Sequence, residues 1–258
     1  MSRLLLGLVI GLSALLAMSR LAAGGSMPAP EPLSSEAAPV ALPVRAPAIA
    51  PAPIPRRRTP VIERLARLES RRRLALAAQS TYLDSMFTTA DSLVRRWQAR
   101  PRIPLRLVVS LPPAWSDRAP RMQRALEIAA ERWNGLRLGV AFQFGADTLG
   151  ADIVVQWIDR FDFDRTGQAD IQFGSDGLIR HARVTLASHA AGGRPLEDRE
   201  LALVATHELG HALGLPHSSQ PTDVMYPAAE INGLSDRDRA TAALLYALPP
   251  GSLQEPAR

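Results

Sequence analysis

Apolar and polar positions change their pattern several times along the chain. Leu4 to Met18 is a run of apolar and small residues behind Met1-Ser2-Arg3, and Ser19-Arg20-Leu21-Ala22-Ala23-Gly24-Gly25 follows it. A basic start, a short apolar stretch and small residues after it read as an export signal over residues 1–25, cut near Ala22 or Gly24. An uncleaved anchor extending through Arg20 to Ala23 fits the same residues, although the run is shorter than the ~20 residues that span a bilayer. Over residues 26–60 apolar periodicity is lost: Met27 to Pro60 holds 10 Pro in 34 residues, interleaved with Ala. Proline lacks the amide donor and fixes φ, so this stretch is predicted to be an extended, disordered linker and not a core element.

Residues 61–100 contain no Gly and no Pro, and their apolar positions advance in steps of three and four. Leu76, Leu83, Phe87, Ala90, Val94 and Trp97 form one such stripe, which predicts a long amphipathic helix from Val61 to Ala99 with Arg-rich outer faces. Beyond it, residues 101–250 alternate strand and helix signals. Strands are predicted at Leu105–Val109, Val140–Phe144, Ile153–Ile158, Ala169–Phe173 and Ile179–Leu186, separated by turns rich in Gly and Asp. Helices are predicted from Asp117 to Asn134, where Met122, Leu126, Ala129, Ala130 and Trp133 share a side, from Leu196 to Leu213, and from Ser235 to Leu248 with Ser235 as N-cap. Residues 251–258 read as a tail.

Composition narrows the chemistry. All 30 cations are Arg, and there is neither Lys nor Cys. This excludes disulfides, thiol catalysis, Cys-bound metals, lysine Schiff bases and a GxxxxGK[ST] phosphate loop, leaving His, carboxylate and hydroxyl chemistry. The net charge of +5 is unevenly spread: residues 1–100 carry 14 Arg and 6 acids, residues 101–258 carry 16 Arg and 19 acids. The Arg56-Arg57-Arg58 and Arg71-Arg72-Arg73 clusters come with no aromatic platform or nucleic-acid-binding pattern, so they read as solvated helix faces and no nucleic-acid partner is expected.

One motif carries a mechanism. His207-Glu208-Leu209-Gly210-His211-Ala212-Leu213-Gly214-Leu215-Pro216-His217 fits HExxHxxGxxH. On a helix, residues four apart stack about 6 Å from each other, so His207 and His211 can converge on one ion. Gly214 can leave the helix with positive φ and return the chain so that His217 reaches the same point. Three His ligands leave the fourth position of a tetrahedral Zn²⁺ open, and Glu208 can sit beside it without being a ligand. A core helix burying three His and one Glu without a metal would have to desolvate all four.

These residues resemble the metzincin zinc endopeptidases, and within them the matrixins. Ser218 directly after the third His, Thr222-Asp223-Val224-Met225-Tyr226-Pro227, and Leu234-Ser235-Asp236-Arg237-Asp238 leading to Leu244-Leu245-Tyr246 extend the resemblance. Ala151-Asp152-Ile153 and His181-Ala182-Arg183-Val184 are similar to the family's ADI strand and its substrate-lining edge strand. The resemblance implies an α+β, zincin-like catalytic domain over 101–250: a twisted, mostly parallel five-stranded sheet, an active-site helix, a Met-turn and a C-terminal helix. It further implies that His207, His211 and His217 bind zinc, that Glu208 is the general base and acid, and that Met225 underlies the metal site as the Met-turn. Ile179, His181, Leu203, Val204, Tyr226 and Pro227 are then candidate substrate contacts, with an extended peptide pairing along Ile179 to Leu186.

Several features depart from the family. Without Cys, a cysteine latch on the zinc cannot hold the enzyme latent. Outside the motif the chain has only His181 and His189, so a single zinc is expected rather than an additional structural one. Asp159, Asp162, Asp164, Asp170 and Asp176 raise Ca²⁺ as a second cofactor, but Phe173 stands where a calcium loop would close with Glu, and solvated turn acids are the preferred reading. Ala228 and Ala229 replace the Tyr that matrixins commonly place in the specificity wall. The expected function is an exported, monomeric zinc endopeptidase acting outside the cytoplasm on protein or peptide substrates. The alternative is an exported zinc-containing binding module with little activity, anchored to a membrane by its N-terminal apolar run. Residues 61–100 are left open as a prosegment, a support or a partner-binding helix.

Overall fold

A computed structural model describes residues 61–84, 92–146, 148–231 and 233–254, all within a unit spanning residues 56–258. The export segment and the linker expected over 1–60 lie outside the described residues, as do Phe87 and Ala90 of the proposed stripe.

Five strands build one sheet: β2 (Leu105–Ser110), β3 (Phe142–Gly145), β4 (Ile153–Ile158), β5 (Gly167–Phe173) and β6 (Ile179–Ala187). A two-residue strand, β1 (Leu93–Val94), precedes them. Their order is β3-β2-β4-β6-β5, parallel throughout except for β5, which runs antiparallel to β6. Alternation on β4 explains its place: Ile153, Val155 and Trp157 point into the core, while Gln156 faces outward. The fold is the α+β arrangement expected from the sequence.

Helix α2 (Ala119–Asn134) buries the predicted stripe of Met122, Leu126, Ala129, Ala130 and Trp133. Its last residue, Asn134, exchanges two hydrogen bonds with the backbone of Phe142 and so sets the start of β3. Helix α3 (Asp198–Ala212) packs on α2 and beneath β5 and β6. A capping box at Glu197 and Glu200 starts it, and Arg194 binds Glu200 in a bidentate pair that holds the Glu200 carboxyl down at about 2. Helix α4 (Asp236–Ala247) begins at Ser235, whose hydroxyl accepts from the Asp238 amide, as its N-cap role predicts.

The long helix expected over 61–99 is corrected by the structure. Helix α1 covers only Val61–Leu76, and Leu76 ends 74% exposed, so the stripe does not continue past it. Burial in the domain overrides helical periodicity here: Leu83, Val94 and Trp97 are all within 3% of full burial, but on non-helical backbone. Strand β1 pairs antiparallel with β7 (Gly251–Ser252), and Leu253 is buried, so the start of the predicted tail belongs to the domain. Arg96 forms a parallel bridge with Leu178, and the Arg96 guanidinium donates to the Leu248 carbonyl.

Residues 61–84 attach to α4 and to the chain just after it. Tyr82 donates its hydroxyl to Asp238 and its amide to Thr241, Arg237 donates to the Thr81 carbonyl, and Arg73 donates to the carbonyl of Ala247. Trp97 reaches further inward, its indole N–H donating to the Ala212 carbonyl at the end of α3 over 2.8 Å. Trp97→Ala removes both this bond and a buried aromatic ring, and should destabilise the domain by about 3–5 kcal/mol. Chemical denaturation of the two proteins measures the difference, and a loss below about 1 kcal/mol would show that residues 92–97 are not part of the core.

Candidate metal centre and its cleft

Helix α3 carries His207, Glu208 and His211 in its last two turns and then ends in a Schellman motif. The Gly214 amide donates to His211 and the Leu215 amide reaches back to Gly210. Gly214 has φ +101°, and a Cβ there would stand 2.2 Å from the carbonyl oxygen of Arg95. Both facts require glycine. The reversal brings His217 back to the helix.

The three imidazoles meet. His211 Nε2 lies 3.1 Å from His207 Nε2 and 3.1 Å from His217 Nε2. His207 Nδ1 is 2.7 Å from the Val224 carbonyl and His211 Nδ1 is 2.8 Å from the Leu215 carbonyl. A carbonyl only accepts, so each of these Nδ1 atoms carries the ring proton. The facing Nε2 atoms of His207 and His211 are therefore lone pairs, too close to each other without a cation between them. Burial pushes the imidazolium form of His207 down to about 4 and that of His211 to about 3, and it lowers His217 in the same direction. Neutral, convergent imidazoles, two of them half-buried and His217 exposed, are the donor set that zinc takes. Among the described residues they form the one group of His or acidic side chains placed to hold a metal. Of the aspartates considered for calcium, Asp159 meets His189, Asp170 accepts from Gln168, and Asp176 pairs with Arg180.

Glu208 is 6% exposed, and its Oε2 has no hydrogen-bond partner in the protein. Burial raises its carboxyl to about 8, Arg165 opposes the rise, and Asp170 adds to it. Gly167 at the start of β5 lies against this side chain: a Cβ there would be 2.4 Å from Oε1 and 2.6 Å from Cγ of Glu208. A nearby dication would favour the carboxylate, so the buried acid and the three imidazoles suit the same ion.

Met225 is fully buried and packs against α3 at Gly210, where a Cβ would come within 2.4 Å of its Sδ. Gly210 lies between His207 and His211 in the helix, next to His211 in sequence. The Ser218 amide donates to the Met225 carbonyl, tying the residue after the third His to this turn.

Sequence reasoning did not single out the two acids that hold the turn. Asp238 accepts from the amides of Val224 and Ser235 and from the Tyr82 hydroxyl, so one carboxylate joins α4, the segment around residue 82 and the residue whose carbonyl orients His207. Asp223, fully buried, accepts from the hydroxyls of Ser218 and Ser235 and pairs with Arg237. The spacing of Ser235 and Asp238 as a capping box was the available signal, but it shows a helix start and not the long-range bonds.

The predicted substrate strand is misplaced. Ile179 and His181 lie on β6, which is paired on both sides, by β4 and by β5. A strand with both edges satisfied cannot accept a peptide by pairing. The free edge beside Glu208 belongs to β5. Ile179 is instead a core residue near Gly214, and His181 sits opposite Gln172 in the ladder. Leu203 and Val204, one turn before the first ligand, are half-buried, as is Tyr226, whereas Pro227 is exposed.

Comparison with known proteins agrees with this geometry. The sequence model of the peptidase M10 family, Matrixin, matches residues 113–247. Matrilysin of Felis catus is 48% identical over 65 residues, which are 25% of this chain and 21% of that protein. Matrix metalloproteinase-16 of Homo sapiens is 61% identical over 36 residues, 14% of this chain and 6% of the relative. Matrilysin of Rattus norvegicus is 79% identical over 24 residues, 9% of each chain. The matches thus span about a fifth or less of these curated relatives. With the family match covering residues 113–247, which include α2, α3 and α4, the three imidazoles, buried Glu208 and buried Met225, the chain belongs to the matrixin family.

Proposed function

We propose that this chain is an exported zinc-dependent endopeptidase that hydrolyses peptide bonds without a covalent intermediate, with Glu208 as general base and then general acid. The observation that carries the reading is the pair of facing Nε2 lone pairs on His207 and His211, 3.1 Å apart with His217 closing the group, beside a buried carboxylate with an unpartnered oxygen. Zinc held by these three residues would supply a Lewis acid for the scissile carbonyl and lower the pKa of water towards about 7.

Glu208 takes the proton of the attacking water and passes it to the leaving nitrogen, a role suited to a carboxyl whose burial brings its pKa close to neutrality. Val224 and Leu215 fix the ring orientation of two ligands through their carbonyls. The substrate lies extended along the free edge of β5, bonding backbone to backbone, with the reacting bond near Gly167. Its side chain after the cut packs against the half-buried Leu203, Val204 and Tyr226. Export rests on the pattern of residues 1–25 and gives an extracytoplasmic location. Residues 61–84 act as a support for α4 in place of a cover over the cleft, since their hydrogen bonds go to Asp238, Thr241 and Ala247.

Glu208→Ala should keep zinc binding, measured by atomic absorption after dialysis, and lose at least ~100-fold in turnover on casein or gelatin. A variant with wild-type turnover would remove Glu208 from the mechanism. Gly167→Ala forces the Glu208 side chain away, so it should lower kcat with little change in zinc content. Equal loss of zinc and activity would mean that Gly167 serves the fold alone. Chelation followed by dialysis should abolish cleavage and added Zn²⁺ should restore it, whereas activity surviving complete metal removal would overturn the assignment.

A further inference from the structure

Helix α1 has two apolar sides, and only one is used by the domain. Ser70 and Leu74, 2% and 0% exposed, mark the packed side, with Arg67 and Arg73 reaching from it to the carbonyls of Gln254 and Ala247. At about 100° per residue, Val61, Leu65, Leu68 and Leu76 fall within an arc of about 80° on the opposite side. They are 73%, 59%, 45% and 74% exposed. An ordinary solvent face would be polar there.

Cations accompany this face. Arg72 lies in the middle of the arc, and Arg64 and Arg71 along one margin, all exposed. The two acids of the helix are already engaged, Glu63 with Arg67 and Glu69 with Arg72. Arg64 and Arg71 thus stand without an acidic partner among the described residues, and in sequence Arg56-Arg57-Arg58 comes just before the helix. A second copy of α1 would bring this cationic face against itself, so charge disfavours self-association. An anionic surface reverses the sign of that interaction.

We propose that this face of α1 lies in the interface of an anionic lipid bilayer, its Val and Leu side chains among the upper acyl chains and its arginines at the phosphates. Arginine suits this position because its stem lies along apolar surface while the guanidinium reaches polar groups. A helix in the membrane plane needs an apolar stripe flanked by cations and does not need the length of a spanning segment. No helix among the described residues is long and apolar enough to cross a membrane, so contact by α1 is of the in-plane kind.

The chain has no Cys, so a single label can be placed at will on the full-length protein. Leu68→Cys and, as a control away from α1, Leu149→Cys would each carry an environment-sensitive fluorophore and be mixed with phosphatidylglycerol-phosphatidylcholine vesicles or with phosphatidylcholine alone. The label at 68 should shift to the blue and become shielded from an aqueous quencher only with the anionic vesicles, and the shift should fade in high salt. In that background Arg64→Ala and Arg71→Ala should each weaken binding roughly fivefold. An equal response to neutral vesicles, or equal shifts at 68 and 149, would assign attachment to the N-terminal apolar run and overturn the proposal. So would the absence of any shift, or a shift without vesicles that grows with protein concentration, which marks a second copy as the occupant.

Discussion

The backbone reversal at Gly214 is the constraint on which the site depends. With φ +101° and the Arg95 carbonyl where a Cβ would be, no side chain can occupy the position without moving either the end of α3 or the segment from 92 to 97. The turn closes helix α3 by a Schellman motif, which uses the carbonyls of Gly210 and His211, and it delivers His217 to the two helical imidazoles. The remaining carbonyls at the helix end are met from elsewhere: Ala212 by the Trp97 indole and Leu213 by the Tyr246 hydroxyl. A helix terminus that would otherwise leave buried acceptors unpaired is thereby completed by residues over a hundred positions before it and some thirty after it.

A second line of support runs through two carboxylates. Asp238 connects the start of α4 to the Val224 amide, and the Val224 carbonyl in turn orients His207. Asp223 links Ser218, next to the third ligand, with Ser235 and Arg237. The ligand triad is therefore held from its helix, from the Met225 turn and from the N-terminus of α4. In both buried acids each carboxylate oxygen has a donor, the kind of satisfied polar network that fixes one geometry. The described residues 61–84 hydrogen-bond to α4, so that stretch has a structural task in the fold.

Much of this was legible in the sequence, but unevenly. The HExxHxxGxxH spacing foretold the convergence of the three imidazoles, the neighbouring acid and the need for a glycine, because those follow from helical rotation and from the φ that a side chain forbids. Short-range periodicity located α2 and the sheet strands, and Ser235 as an N-cap located the start of α4. What failed was whatever depends on distant partners. The 3- and 4-residue stripe through Leu76, Leu83, Val94 and Trp97 satisfies a helix as well as a chain that enters the core piecemeal, and only the presence of β7, α3 and α4 selects the second. The edge strand was misassigned for the same reason: β5 and β6 both carry alternating patterns, and which one faces open solvent is a property of sheet order. Sequence alone determined the chemistry of the metal site, since it resides in residues a few positions apart. The tertiary structure decided which strand edge is free beside Glu208, what completes the helix end, and which face of α1 remains uncovered, since each is set by contacts between segments tens to hundreds of residues apart.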